Sequence, residues 1–141
     1  MFELVASVFM LASVFYGQPA SASDEIALNG AKTVGPKTIE EVVREHFAET
    51  PVLIEVARCE STFRQVDHRG EVIRGRHNEY DVGLMQINEL YHSDKAKSLK
   101  FDLHTLEGNM AYAEWLYRKE GLGPWQASSK CWKRYAEVAK G

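Results

Sequence analysis

The sequence is short of the features that mark several protein classes. Its 141 residues include two cysteines and four prolines, and 17 basic residues face 20 acidic ones. Two cysteines are too few to frame a small disulfide-rich protein. The near-neutral charge provides no field that gathers a polyanion, so we expect no nucleic-acid partner. With 45% hydrophobic and 26% charged residues, the chain is neither disordered nor collagen-like. One ordinary globular domain is expected.

Motifs that bind metals or phosphates are missing as well. The histidines have no metal-ligand spacing, no glycine-rich phosphate loop follows a predicted strand, and no serine lies in a Gly-x-Ser-x-Gly turn. We therefore expect no metal and no cofactor. The histidines are interpreted as ordinary surface or loop residues: His46, His68, His77, His92 and His104.

The longest hydrophobic run lies at the N-terminus. Residues 4–16 are uncharged and almost wholly apolar, and a proline then precedes the small residues Ala20-Ser21-Ala22. This pattern predicts a signal peptide over residues 1–22, cleaved after Ala22, and export to the periplasm, the cell wall or the medium. A helix of 13 residues spans about 20 Å, less than the roughly 30 Å hydrocarbon core, so no stable membrane anchor is expected. An uncleaved anchor or a buried helix is the alternative, because the residues before the apolar run include Glu3 and no Lys or Arg.

Export also sets the redox environment of the cysteines. In an oxidising compartment, Cys59 and Cys131 are expected to form a disulfide and not a metal site or a catalytic thiol. The alternative is that they are two separate buried thiols. Removing 22 residues leaves 119, enough to bury about two-thirds of the unfolded surface in one core. Residues 23–36 are small and polar without periodicity and predict a flexible leader. The domain is then expected over residues 37–141, as a monomer.

Two helix starts are visible after the leader. Thr38 and Glu41 have the spacing of a capping box and predict a helix over residues 38–48. Thr50 followed by a proline predicts a second helix over residues 51–61, with Thr50 as its N-cap.

The second helix places an acidic residue among apolar ones. At 100° per residue, Glu60 falls near the centre of the apolar face. Burial raises the pKa of a carboxyl group, which keeps it protonated and suits it to act as a general acid. The alternative is a glutamate at a helix end, paired with Arg58 or Arg64.

The next segments alternate between short β-like pieces and a longer helix. Residues 65–75 predict a small β-hairpin, and residues 76–81 predict a polar loop. The mostly apolar run 82–88 contains Gln86, whose buried amide needs partners such as a sugar hydroxyl or acetamido group. A helix is predicted over residues 103–119, and Asn109 lies beside its apolar stripe.

The end of this helix and the C-terminal segment are marked by glycine and tryptophan. Gly121 is placed to end the helix. A Cys59–Cys131 bond would bring Trp125 and Trp132 close to Glu60. Indole rings of this kind stack on sugars, but they are also ordinary core residues.

Three motifs in this order resemble those of the soluble lytic transglycosylases and their goose-type lysozyme relatives. They are Glu60-Ser61-x-Phe63, Gly83-Leu84-Met85-Gln86-Ile87-Asn88, and Asn109 with Ala113 and Leu116. The resemblance covers residues 50–132. It implies a mostly helical α+β fold of the lysozyme type with a small β-hairpin region, and peptidoglycan glycan strands as the partner.

The resemblance also assigns roles to individual residues. It implies that Glu60 is the catalytic acid, supported by Ser61. It further implies that the substrate is bound by Ser61, Gly83, Leu84, Met85, Gln86 and Asn109, with Tyr112 and Trp125 as aromatic sugar contacts. The downstream Ala-Tyr-Asn motif of many family members is replaced by Gly123-Pro124-Trp125 and a tail that is similar to resuscitation-promoting-factor domains. The residue that orients Glu60 is therefore open, with Tyr112 and Tyr117 as candidates.

The implied reaction cleaves the β-1,4 bond between N-acetylmuramic acid and N-acetylglucosamine and forms an anhydro sugar. A single carboxyl group is sufficient for this reaction. Hydrolysis usually needs two, and Asp81 is the best second candidate, with Asp67 and Glu79 behind it. A goose-type muramidase that uses Asp81 is one alternative. A module that binds glycan without cutting it is another.

Overall fold

The structure is a computed structural model that describes residues 35–138. The predicted signal peptide, most of the predicted leader and the last three residues lie outside the described residues. Within them the chain forms five α-helices, one 3-10 helix and a two-stranded antiparallel sheet. The prediction of a mostly helical α+β protein is therefore confirmed. The elements are α1 (Ile39–His46), α2 (Val52–Ser61), β1 (Asp81–Val82), β2 (Ile87–Asn88), α3 (Glu89–Ser98), α4 (Leu106–Glu120), the 3-10 helix (Gly123–Ser128) and α5 (Ser129–Val138).

The first two helices begin differently. The Thr38 hydroxyl accepts from the Glu41 amide, and the Glu41 carboxylate accepts from the Thr38 amide, so the predicted capping box is present. The prediction that Thr50 caps α2 is wrong. Pro51 occupies the cap position, with helical backbone angles, and no side chain caps the helix. Among the described residues, the Thr50 hydroxyl is a buried polar group without a hydrogen-bond partner.

The predicted hairpin over residues 65–75 is only partly present. A single bridge joins Val66 to Val72, and a second bridge joins Arg74 to Val82. The turn between Val66 and Val72 is held by the Asp67 carboxylate, which accepts from the backbone amides of Arg69 and Glu71. The regular sheet lies further along the chain, where β1 pairs with β2.

Two helices were not predicted. Helix α3 has no apolar stripe, because Leu90 and Tyr91 are exposed and Ala96 is its one buried residue. It begins where the Asn88 side chain accepts from the Leu90 amide, which is an N-cap interaction. Helix α5 follows the 3-10 helix directly, in the C-terminal segment for which the sequence patterns predict no helix.

The core is formed by α2, α4 and the C-terminal segment, which pack around residues 82–88. Helix α4 covers most of its predicted span, and Gly121 ends it with a φ of 61°. The predicted disulfide is present: Cys59 on α2 is bonded to Cys131 on α5, across 72 positions of sequence. Among the described residues, no helix combines the length and apolar character that a membrane span requires.

Candidate active site

An open cleft of about 1180 Å³ runs between the end of α2 and the small β region. Its lining is rich in charged and polar groups. On the α2 side it includes Glu60 and Ser61, and on the β side Asp81 and Gln86. Ala127 of the 3-10 helix completes one wall. The cleft therefore joins three segments that are far apart in the sequence.

Glu60 is the half-buried acid of this cleft. It is the second-last residue of α2, and its Oε1 atom lies 2.6 Å from the hydroxyl oxygen of Ser128. Burial raises the pKa of the Glu60 carboxyl, while the hydrogen bond from Ser128 lowers it and the negative charge of Asp81 raises it again. The net direction is upward, which favours the protonated form that a general acid needs.

The basic residues near Glu60 have other partners. Arg58 donates to Glu55 at 2.9 Å, and its guanidinium lies 5.0 Å from the ring centre of Phe63. Arg64 donates to the backbone carbonyl of Ser61 at 3.0 Å. The alternative in which Arg58 or Arg64 pairs with Glu60 is therefore wrong for the described residues.

Ser61 does not support Glu60 in the way that the motif implies. Its hydroxyl donates to the Ala57 carbonyl at 3.1 Å and accepts from the Arg64 amide at 3.1 Å. These bonds close the last turn of α2 just before Thr62 and Phe63, which both have positive φ. The side chain that contacts Glu60 is Ser128, which sequence reasoning missed. The signal that could have found it is its position one helical turn before Cys131, the predicted partner of the residue beside Glu60.

Asp81 lies in the same cleft and is held by two amides. Its Oδ1 atom accepts from Asn88 at 2.8 Å and from Asn78 at 3.2 Å. Asp67 also lines the cleft, but it pairs with Arg69. Glu79 does not line the cleft, and its backbone carbonyl accepts a hydrogen bond from Arg74. Asp81 is therefore the second carboxylate best placed to act with Glu60.

The predicted substrate residues of the central motif are mostly structural. Gly83, Leu84, Met85 and Asn109 are buried and do not line the cleft. The Leu84 amide donates to Gln65, and the Met85 amide donates to Asn109, so these groups already have partners. The prediction that these four residues bind substrate directly is wrong, because the side chains of Leu84, Met85 and Asn109 are fully buried and the Gly83 backbone lies against Asn109 and Gln65.

The side-chain amide of Asn109 makes all of its hydrogen bonds within the protein. It is fully buried, accepts from the Met85 amide at 2.9 Å, and donates to the carbonyls of Val82 at 3.0 Å and Leu103 at 2.8 Å. A buried amide with every group paired ties α4 to the 82–85 segment. Gly83 allows this approach: a Cβ atom there would lie 2.5 Å from Asn109 and 2.7 Å from Gln65.

Gln86 is the residue of this motif that reaches the cleft. Its side chain is half-buried, and its Nε2 atom donates to the Gly83 carbonyl at 2.9 Å. Its φ is 49°, an uncommon backbone conformation for a residue with a side chain. The prediction that Gln86 faces a polar ligand remains a prediction, now supported by its position on the cleft wall.

The aromatic residues proposed as sugar contacts are buried. Trp125 is 2% exposed, and its indole donates to the Met85 carbonyl at 2.9 Å. Tyr112 is 0% exposed, and its hydroxyl lies 2.9 Å from Nδ1 of His92. Neither ring offers a face to a sugar, so both predictions are wrong. Among the described residues, neither Tyr112 nor Tyr117 is hydrogen-bonded to Glu60, whose side-chain partner is Ser128.

His92 also departs from its prediction as an ordinary surface residue. It is half-buried beside Tyr112, and burial lowers its pKa. His77 and His104 lie on the cleft wall. His104 contacts Glu89 at 2.9 Å, and the same carboxylate binds Arg74 at 2.6 Å. Glu89 therefore holds two residues of the cleft wall, Arg74 and His104.

Comparisons with known proteins add no assignment. The chain matches no protein-family model, no curated protein and no solved structure. Within residues 35–138 there is no group of three or more His, Cys, Asp or Glu side chains placed to hold a metal ion.

Proposed function

We propose that this protein cleaves peptidoglycan glycan strands as a lytic transglycosylase, with Glu60 as its single catalytic acid and base. The observation that carries the proposal is the half-buried Glu60 carboxyl on the wall of a large polar cleft, hydrogen-bonded to Ser128 and with a raised pKa. The motif resemblance supplies the substrate class. A cleft of about 1180 Å³ has room for several sugar rings.

The chemistry requires one carboxyl group in two states. Protonated Glu60 donates its proton to the oxygen that links muramic acid to glucosamine, and the bond between that oxygen and the muramoyl C1 breaks. The resulting carboxylate then takes the proton of the muramoyl C6 hydroxyl, whose oxygen bonds to C1. Glu60 ends protonated, the product carries an anhydro ring, and no water is consumed.

Asp81 supports a second candidate, a goose-type muramidase. It lines the same cleft, and its negative charge contributes to the raised pKa of Glu60. A carboxylate held by two asparagine amides is suited to position a water molecule. Hydrolysis by this pair would leave a reducing sugar instead of an anhydro ring.

Product analysis separates these functions. Purified peptidoglycan is digested with the full chain, and the muropeptides are identified by mass spectrometry. Anhydro ends are expected, and they decrease at least about 100-fold in Glu60→Gln, which keeps the shape of the side chain but cannot donate a carboxyl proton. Asp81→Asn is expected to retain most of the anhydro product.

Other results lead to other conclusions. Reducing ends that disappear in Asp81→Asn would replace the transglycosylase with the muramidase. Binding of peptidoglycan by both the wild type and Glu60→Gln, with no cleavage by either, would favour the module that binds glycan without cutting it.

Export is part of the same proposal. The Cys59–Cys131 disulfide is compatible with an oxidising compartment, where the substrate is found. The measurement is N-terminal sequencing of the protein recovered from the producing cells, for which we expect a start at Ser23.

A further inference from the structure

The hydroxyl of Ser128 has two acceptors and one proton. Its oxygen lies 2.6 Å from Oε1 of Glu60 and 3.1 Å from the backbone carbonyl of Trp125. A serine hydroxyl donates one hydrogen bond and accepts others. Both short contacts are satisfied together only when Glu60 donates to Ser128 and Ser128 donates to Trp125. This arrangement matches a protonated Glu60.

The Trp125 carbonyl does not depend on Ser128. It also accepts from the indole nitrogen of Trp132 at 2.9 Å. The Ser128 hydroxyl can therefore turn away from Trp125 and donate to Glu60 without leaving a buried carbonyl unpaired, an event that is normally costly. Both orientations of the hydroxyl are thus available at low cost.

The 3-10 helix that carries Ser128 is held in place by the central motif. The Trp125 indole donates to the Met85 carbonyl, and the Met85 amide donates to the buried Asn109. On the other side, Cys131 is bonded to Cys59, which precedes Glu60. Motif residues that do not reach the cleft therefore position the partner of Glu60.

We propose that Ser128 is a positioning residue whose hydroxyl rotates between Trp125 and Glu60, so that it matches the protonated and the ionised carboxyl in turn. Once the hydroxyl turns to donate to Oε1, that oxygen no longer directs a proton at Ser128, and a carboxyl group that is still protonated carries its proton on Oε2 instead. Among the described residues, Oε2 has no hydrogen-bond partner within the protein, which leaves it for the substrate. After proton transfer the hydroxyl keeps its bond to Oε1 and stabilises the carboxylate that acts as base.

This inference rests on the proposed function, because it concerns a carboxyl group that acts first as acid and then as base. Ser128 itself does not line the cleft. Its loss should therefore lower kcat with little change in KM. A side chain that only supported the fold would not change the titration of Glu60.

The test compares hydroxyl and non-hydroxyl variants of the full, oxidised chain. Ser128→Thr and Ser128→Val have the same shape and differ in the hydroxyl, and Ser128→Ala is the smaller variant. Ser129→Ala is the matched control, because Ser129 contacts Gln126 and not Glu60. Carboxyl-labelled glutamate is followed by NMR over pH, with Glu60→Gln to assign the signal. Peptidoglycan cleavage is measured over the same range.

In Ser128→Val and Ser128→Ala, Glu60 should titrate at higher pH, because the hydroxyl bonds more strongly to the ionised carboxylate than to the neutral acid and this difference is lost. The high-pH fall in kcat/KM should move by the same amount, and kcat should fall about 10-fold, the usual effect of a bond to a charged group. Ser128→Thr and Ser129→Ala should behave like the wild type.

Unchanged titration of Glu60 in both Ser128→Val and Ser128→Ala overturns the inference. An equal shift in Ser129→Ala or Ser128→Thr also overturns it, because the effect would then not belong to the hydroxyl. The titration does not depend on substrate. A chain that cuts no peptidoglycan but shows the expected shift would therefore disprove the proposed function while the role of Ser128 stands.

Discussion

At the scale of single residues, the central feature is a carboxyl group placed where its charge is disfavoured. Glu60 is half-buried at the end of α2, and its position on the apolar face was predicted by helical periodicity alone. The identity of its partner was not predictable in this way. Ser128 is 68 positions away, and no local pattern relates the two.

The raised pKa of Glu60 makes stability depend on pH. The folded state favours the neutral acid, so its stability falls as pH rises from the ordinary value of 4.5 through the folded pKa. Glu60→Gln cannot ionise and should escape this loss. We expect the variant and the wild type to be equally stable below about pH 4, with the variant more stable at neutral pH. Urea unfolding at several pH values measures the difference. A difference that does not change with pH would contradict the expectation.

At the scale of secondary-structure elements, buried amides join the central motif to α4. The contact requires a glycine at position 83, where the φ of 72° and the close approach of Asn109 and Gln65 leave no room for a side chain. The motif resemblance singles out Gly83 and Asn109, but it implies that they bind substrate. Position in a motif does not distinguish a residue that binds substrate from one that holds the loop, because both are needed for activity.

Gly83→Ala tests this contact. Gly70 is the matched control, because it also has a positive φ, 80°, but a Cβ atom added there would meet nothing within 4 Å. Gly70→Ala should lose about 1 kcal/mol of unfolding free energy from backbone strain alone. Gly83→Ala should lose roughly 3 kcal/mol, because overpacking adds to that strain. Equal losses in thermal or urea unfolding would show that the contact with Asn109 and Gln65 is readily displaced.

The helices that were not predicted show the limit of pattern analysis. Helix α3 lies at the surface with one buried residue, Ala96, so it has little hydrophobic periodicity to detect. Its start depends on Asn88, whose side chain both caps the helix and donates to Asp81. Helices with an apolar stripe, such as α4, were found within a few residues of their observed bounds.

At the scale of the whole molecule, one disulfide joins the two segments that form the site. Cys59 precedes Glu60, and Cys131 follows Ser128 by three positions on the adjoining helix. Because 72 positions separate the cysteines, the bond removes much of the freedom of the unfolded chain. It also limits how far Ser128 can move from Glu60.

Removal of this bond should therefore affect stability and activity together. In Cys59→Ser/Cys131→Ser we expect a loss of about 4 kcal/mol of unfolding free energy, the chain-entropy value for a loop of this size. Peptidoglycan cleavage should fall as well, because α5 is no longer tied to α2. A reducing agent should reproduce both effects in the wild type and change nothing in the double variant. Wild-type stability in the double variant would contradict the expectation.

The sequence by itself determined the features that depend on near neighbours or on composition. These are the capping box at Thr38, the apolar face that carries Glu60, the long helix ended by Gly121, and the pairing of the two cysteines. Helical periodicity and capping act within one or two turns, so they can be recognised in a short window of sequence.

Only the tertiary structure decided which polar groups meet across the chain. In the folded chain, Ser128 is hydrogen-bonded to Glu60, and Trp125 and Tyr112 are buried away from the cleft. Asn109 holds the 82–85 segment. Each of these outcomes depends on how separate elements pack, and packing determines whether a side chain faces solvent, substrate or another buried group. A sequence pattern can name the residues of a site, but the burial and hydrogen bonds that give each residue its role arise only when the chain is folded.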